Sequence, residues 1–111
     1  MNSNILQLES EFHARVDEVL AAIENALEAA NADIDSDINE GILTLEFGDG
    51  SKLIINRQSP LREIWVAAKS GGFHFRFDGA VWRDTRSSEA LDALLTRMIA
   101  EQSGDVMPIT L

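Results

Sequence analysis

The sequence predicts an α+β two-layer sandwich, with two terminal helices packed on one face of an antiparallel sheet of five to six strands. Three observations predict it. Segments with a helical period bracket a central stretch with a period of two. Each helical segment carries one apolar stripe, and therefore one face to bury. The central segments follow one another through short turns, which is the connectivity of an antiparallel sheet.

The first helix is read from about Asn4 to Asn31. Phe12, Val16, Val19, Leu20, Ile23, Leu27 and Ala30 recur there at spacings of three and four, and its alanines favour helix. The period then becomes two. Asp33, Asp35 and Asp37 alternate with Ile34, Ser36 and Ile38, as in a short edge strand with its carboxylates on one side. Asn39-Glu40-Gly41 turns the chain into a strand from Ile42 to Phe47, with Leu43, Leu45 and Phe47 inward. Gly48-Asp49-Gly50 reads as a hairpin turn. Lys52 to Arg57 is the next strand, and Ser59-Pro60 breaks it. In Arg62 to Ala67, Ile64 and Val66 share one face and Glu63 and Trp65 the other. After Gly71-Gly72, Phe73, Phe75 and Phe77 alternate with His74 and Arg76, a half-buried strand. Val81 to Arg83 is a short sixth strand.

The second helix is read from Ser87, taken as N-cap, with Glu89 in its first turn. Leu91, Leu94, Leu95, Met98 and Ile99 form its stripe, and Gly104 ends it. The tail, Asp105 to Leu111, is expected to fray or to fold back on the helices.

A chain of 111 residues with 45% hydrophobic content is expected to form one domain over residues 1–111 with a core of its own. No apolar run approaches the roughly 18 residues that cross a bilayer. The N-terminus lacks a basic start, an apolar stretch and a cleavage site. The expectation is a soluble, cytoplasmic protein. The chain has no cysteine, which excludes disulfides, thiolate nucleophiles and thiolate metal ligands. A bound metal would be a hard cation on oxygen ligands. With two histidines, no tyrosine and no glycine-rich phosphate loop, the sequence predicts no enzyme. An enzyme that oxidises a metal ion on a carboxylate cluster is the lowest-ranked reading.

The charge is uneven. Twelve of the nineteen acidic residues lie in the first fifty positions, beside a single basic residue, Arg15, and the whole chain carries −10. Crowded like charge destabilises a compact state, so a cationic counterpart is expected. The same sign argues against nucleic acid as ligand. On a helical wheel His13, Asp17, Glu24 and Glu28 fall within about 60° of one another, away from the core stripe. Asp33, Asp35 and Asp37 extend this acidic sequence into the first strand. Aspartate is a poor strand former, which gives that run a meaning beyond solvation. Nothing resembles an EF-hand loop, a His-Glu-x-x-His helix or a di-iron pair, so binding is expected to be weak and spread over a surface. On the open sheet face, parity places Trp65 with His74 and Arg76, near Asn56 and Arg57-Gln58, the composition of a binding hot spot.

Ile54-Ile55-Asn56-Arg57-Gln58-Ser59-Pro60 followed by Ile64-Trp65 resembles the signature of the frataxin family. Asp49-Gly50-Ser51-Lys52, Gly71-Gly72-Phe73-His74-Phe75 and Ser10-Glu11-Phe12-His13 resemble its bacterial branch, CyaY. The resemblance runs from about Ser10 to Gly104. It implies the same two-layer fold and iron, Fe2+ or Fe3+, held weakly on surface carboxylates. The ridge it implies comprises Asp17, Glu24, Glu28, Asp33, Asp35 and Asp37, with His13 beside it. It further implies a role in iron–sulfur cluster assembly, as a regulator of the cysteine desulfurase and an iron donor. Asn56, Gln58 and Trp65 would serve contacts with partner or scaffold proteins. A monomer is expected, with metal-bridged oligomers of acidic ridges. This chain departs from the pattern at Ala26, Ala29, Ala30 and Asn31, where more carboxylates would stand. The alternative is an acidic protein-interaction module whose metal binding is incidental.

Overall fold

The computed structural model describes residues 3–111. Helix α1 spans Ser3–Ala29 and helix α2 spans Leu91–Ser103. Between them lie β1 (Asp35–Asn39), β2 (Ile42–Glu46), β3 (Lys52–Gln58), β4 (Glu63–Ala68), β5 (Gly71–Phe77) and β6 (Trp82–Asp84). A 3-10 turn, Ser59–Leu61, separates β3 from β4. The six strands form one sheet in sequence order, each pair antiparallel. The expected α+β sandwich is the observed one.

Alternation decides what the sheet buries. Leu43 and Leu45, Leu53 and Ile55, Ile64 and Val66, and Phe75 are almost inaccessible to solvent, and they face the helices. Phe12, Val16, Val19, Leu20, Ile23 and Leu27 of α1 complete this core with Leu91, Leu94, Leu95, Met98 and Ile99 of α2. The two stripes read from the sequence are buried as expected, except for Ala30, which is exposed. The reason is the helix end. The Ala32 amide donates to the Leu27 carbonyl and the Asn31 amide to Glu28, with Asn31 left-handed at φ 50. This is a Schellman end with asparagine in the glycine position, and it lifts Ala30 off the core.

The first strand is shorter than its period suggested. Asp33 sits in a bend, and pairing begins at Asp35. Glu40 and Gly41 both have positive φ, the two-residue hairpin turn whose twist suits β1 and β2. Gly41 is needed twice over, because a Cβ there would stand 3.0 Å from the Arg57 side chain.

Two further differences lie near the second helix. Ser87 is not its N-cap: α2 starts at Leu91 behind Ala90, with no side-chain cap. Buried Asp84 intervenes, accepting hydrogen bonds from the Arg86 and Ser87 amides at 2.7 and 3.3 Å. That closes a separate turn before the helix, and Glu89 instead pairs with Arg97 at 2.7 Å. The tail folds back. Met107 and Ile109 are buried, and the Ile109 amide donates to Thr96 Oγ1. No helix among the described residues is long and apolar enough to cross a membrane.

Asp78 organises the turn into β6. Its carboxylate accepts from the amides of Val81 and Ala80 and from Arg83 Nε. These bonds, the Val81 amide foremost, lower its pKa from 3.8 to about 2. A depressed carboxylate contributes stability above its unfolded pKa and loses it as pH falls through the folded value. The stability difference between the parent and Asp78→Asn is therefore expected to shrink between about pH 4 and about pH 2. Urea unfolding at several pH values measures it, and the NMR titration midpoint of Asp78 should lie at about 2.

Candidate functional site

The acidic residues of α1 and β1 meet at one edge of the molecule, but they do not form one cluster. β1 is the edge strand, and all five of its residues are exposed. Ser36 lies opposite Leu45 and Ile38 opposite Leu43. Both partners face the core, so Ser36 and Ile38 take the helix side, and Asp35 and Asp37 take the open face. The constellation is thereby divided by the strand it was expected to share.

On the helix side, Glu24 and Glu28 line a shallow depression of roughly 440 Å³ with Asn25, Asn31 and Ser36. Ser36 Oγ donates to Glu24 Oε2 at 3.2 Å. On the other side, Asp35 lies directly opposite Glu46, which in turn faces Lys52 on β3. Like charges placed opposite each other weaken a strand pair; Glu46 joins the acidic edge through tertiary pairing. Asp33 is exposed in the bend that precedes β1. Among the described residues, Glu28, Asp33, Asp35 and Asp37 have no ion-pair or side-chain hydrogen-bond partner. No three histidine or acidic side chains among those residues converge as a metal-binding group.

His13 and Asp17 belong elsewhere. Both are tied to Arg57, which follows Leu53 and Ile55 on the inward side of β3 and reaches α1. Arg57 Nη2 donates to Asp17 Oδ1 at 2.7 Å, and Nε donates to the Gly41 carbonyl at 3.3 Å. Arg57 Nη1 lies 3.1 Å from His13 Nδ1. A guanidinium has donors only, so Nδ1 accepts and Nε2 carries the ring proton, facing Ser59 Oγ at 3.3 Å. Both ring nitrogens of His13, placed beside the ridge by the family resemblance, are therefore engaged within the fold. The helix line also has its cation, supplied by a residue forty positions away. Strand parity was the available signal, since Arg57 continues the Leu53–Ile55 row.

The open sheet face is more ordered than a solvated surface. Asn56, Trp65 and His74 are consecutive cross-strand partners. The Trp65 and His74 rings stack at 4.2 Å and 7°. Beneath them Glu63 is only 4% exposed. It accepts from Trp65 Nε1 at 2.8 Å and from Arg76 Nη2 at 2.7 Å. A buried carboxylate with two charge-assisted partners fixes the tryptophan in one pose. Gln58 borders this group, opposite Glu63. Sequence parity put Glu63 outside, and it is buried because Trp65 and Arg76 cover it. Trp82, unplaced by its short strand, is buried against Phe12 and Phe77.

Three comparisons bear on this geometry. The frataxin-like domain family matches residues 6–105. An iron-sulfur cluster assembly protein CyaY from Dechloromonas aromatica is 49% identical over 100 residues, covering 89% of this chain and 95% of that protein. One from Paraburkholderia phymatum is 48% identical over 101 residues, with 91% and 96% covered. The frataxin of Psychromonas ingrahamii, of the CyaY protein family, superposes with a TM-score of 0.87 at 38% identity, covering 93% and 98% of the two chains. A ferrous complex of trimeric frataxin from Saccharomyces cerevisiae gives a TM-score of 0.69 at 28% identity, covering 86% and 87%.

Removing the Arg57 side chain should loosen α1 from the sheet. Arg57→Ala is expected to cost about 1–2 kcal/mol, toward the lower end because Asp17 is exposed to screening water. Urea unfolding measures the loss. The His13 ring signals should shift with it, while those of His74 stay in place.

Proposed function

The chain belongs to the frataxin family, and from that premise we propose that it serves iron–sulfur cluster assembly, regulating the cysteine desulfurase machinery and delivering iron. One observation carries the reading. Glu24, Glu28, Asp33, Asp35 and Asp37 crowd one edge, and only Glu24 has a side-chain partner, the Ser36 hydroxyl, among the described residues. Uncompensated carboxylates on an exposed edge favour an approaching cation, whether a metal ion or a basic protein surface.

Iron enters as cargo. Carboxylate oxygens are hard donors, suited to Fe2+ and Fe3+ as to other hard cations. Glu24 and Glu28 stand one helical turn apart beside the Ser36 hydroxyl and can hold an ion from one side. Asp35 and Asp37 form a second locus with Glu46 on the other side of β1. Neither encloses a cation, so binding is weak and release is easy, as delivery requires. Alanines near the helix end, where further acids would stand, keep the capacity low. Asp17 can join only if Arg57 lets go.

Docking uses the same charge differently. A basic patch on the desulfurase would meet the whole edge at once, and steering of this kind weakens as salt screens it. Asn56, Gln58 and Trp65 provide the second surface, where a fixed, half-buried indole offers contact area at little ordering cost. The chain acts by binding rather than by catalysis of its own.

The double variant Glu24→Lys, Asp35→Lys is expected to bind the desulfurase at least about tenfold more weakly, with an unchanged circular dichroism spectrum. Raising salt from about 50 to about 500 mM should weaken the parent similarly. Binding equal to the parent refutes the docking role. In an NMR titration, Fe2+ should perturb the amides of Glu24, Glu28, Asp35 and Asp37 together at concentrations where Mg2+ does not. Matching effects of the two ions would favour the interaction module with incidental metal binding.

A further inference from the structure

The opposite end of α1 carries a groove that the acidic edge does not use. It lies between the first turns of α1, the Ser59–Leu61 turn and the β5–β6 end of the sheet. Its apolar lining includes Leu8, Phe12, Leu61, Phe77 and Trp82, and its volume is roughly 480 Å³. Arg15, Arg62 and Arg76 stand around it, and among the described residues no carboxylate is part of its lining, though Arg76 is paired with Glu63 and Arg15 lies 3.8 Å from Glu11. On a chain of net charge −10 with nine basic residues, that local composition runs against the average.

The surroundings are also apolar. Ile5 and Leu8 continue the α1 stripe by one helical face beyond Phe12, past the part covered by the sheet, and they are 55% and 45% exposed. Leu61, across the groove, is 50% exposed. Large apolar side chains grouped in this way mark an interaction surface.

Arg62 adds an independent observation. It ends the 3-10 turn in the left-handed region, at φ 51 and ψ 49. A bulky residue there is strained where glycine or asparagine would sit easily. Its side chain has no acidic partner among the described residues. Strain kept by an exposed, unpaired arginine points to use of the guanidinium. Arg15 is held only loosely, 3.8 Å from Glu11, and lies over the Phe77 ring at 4.5 Å.

We propose that this groove binds an acidic peptide segment bearing large apolar side chains, supplied by a partner protein. The apolar side chains would enter between Leu8 and Leu61, and the carboxylates would meet Arg62 and, beside it, Arg15, with Arg76 adding charge while it stays paired with Glu63. Charge selects the occupant: a lining with three arginines, Arg62 unpaired, and no carboxylate among the described residues favours an acidic segment over a basic one. The groove's α1 residues, Leu8, Phe12 and Arg15, lie roughly 14–24 Å along the helix from Glu24, and the surface does not depend on the iron reading.

The test is an NMR titration with a capped decapeptide alternating Asp and Glu with Leu and Phe. Saturable shifts are expected at Leu8, Phe12, Leu61, Arg62 and Phe77. Arg62→Glu and Leu61→Ser, both exposed positions checked for fold by circular dichroism, should weaken binding by about tenfold or more. Glu24→Lys should bind as the parent does. Arg62→Gly should melt at a higher temperature yet bind more weakly, since it relieves the strain and removes the charge. The proposal is overturned if the peptide binds no better than its lysine-for-acid or serine-for-apolar counterparts. It is equally overturned if the shifts map elsewhere, if Arg62→Gly binds like the parent, or if phosphatidylglycerol vesicles bind here and the peptide does not.

Discussion

Strand alternation is the constraint on which the rest depends. Once Leu43, Leu45, Leu53 and Ile55 must face the helices, every neighbour's side is decided. Asp35 and Asp37 are forced onto the open face, Ser36 is turned toward Glu24, and Arg57 is turned toward α1. The position of each charged group is thus a by-product of burying apolar ones. The energy that divides the acidic edge in two comes from the core and not from electrostatics, which at an exposed edge amounts to little.

The same constraint explains how much was legible in the sequence. The helices and strands were readable because period and turn chemistry agree at each step, as at Phe73, Phe75 and Phe77 or Gly48-Asp49-Gly50. The failures share a cause, namely side-chain contacts that neither periodicity nor strand parity registers. Arg57 pairs with α1 across forty positions, and a helical wheel drawn on α1 alone has no place for it. Ser87 looked like a cap because Asp84, which takes over that role for a separate turn, lies in the preceding strand. Glu63 has the parity of an exposed residue and becomes buried only through the side chains laid over it. Of the proposed edge residues, Glu24, Glu28 and the three aspartates were readable from charge crowding alone. Their division was not, because it depends on the register of β1 against β2.

Two surfaces of different physical character follow. The acidic edge is soft: exposed carboxylates, few fixed partners, no enclosing geometry. The tryptophan face is rigid, held by a buried carboxylate and a stacked imidazole. In general, exposed charge acts on the rate of encounter and fixed aromatic area on the rate of departure.

The exposed β1 strand has one more effect. Its outer row of backbone amides and carbonyls is unpaired, and such rows recruit strands from other molecules unless something keeps them apart. Here mutual repulsion between identical aspartate-bearing borders does so. Whatever cancels that repulsion removes the barrier to lateral pairing of copies along this edge.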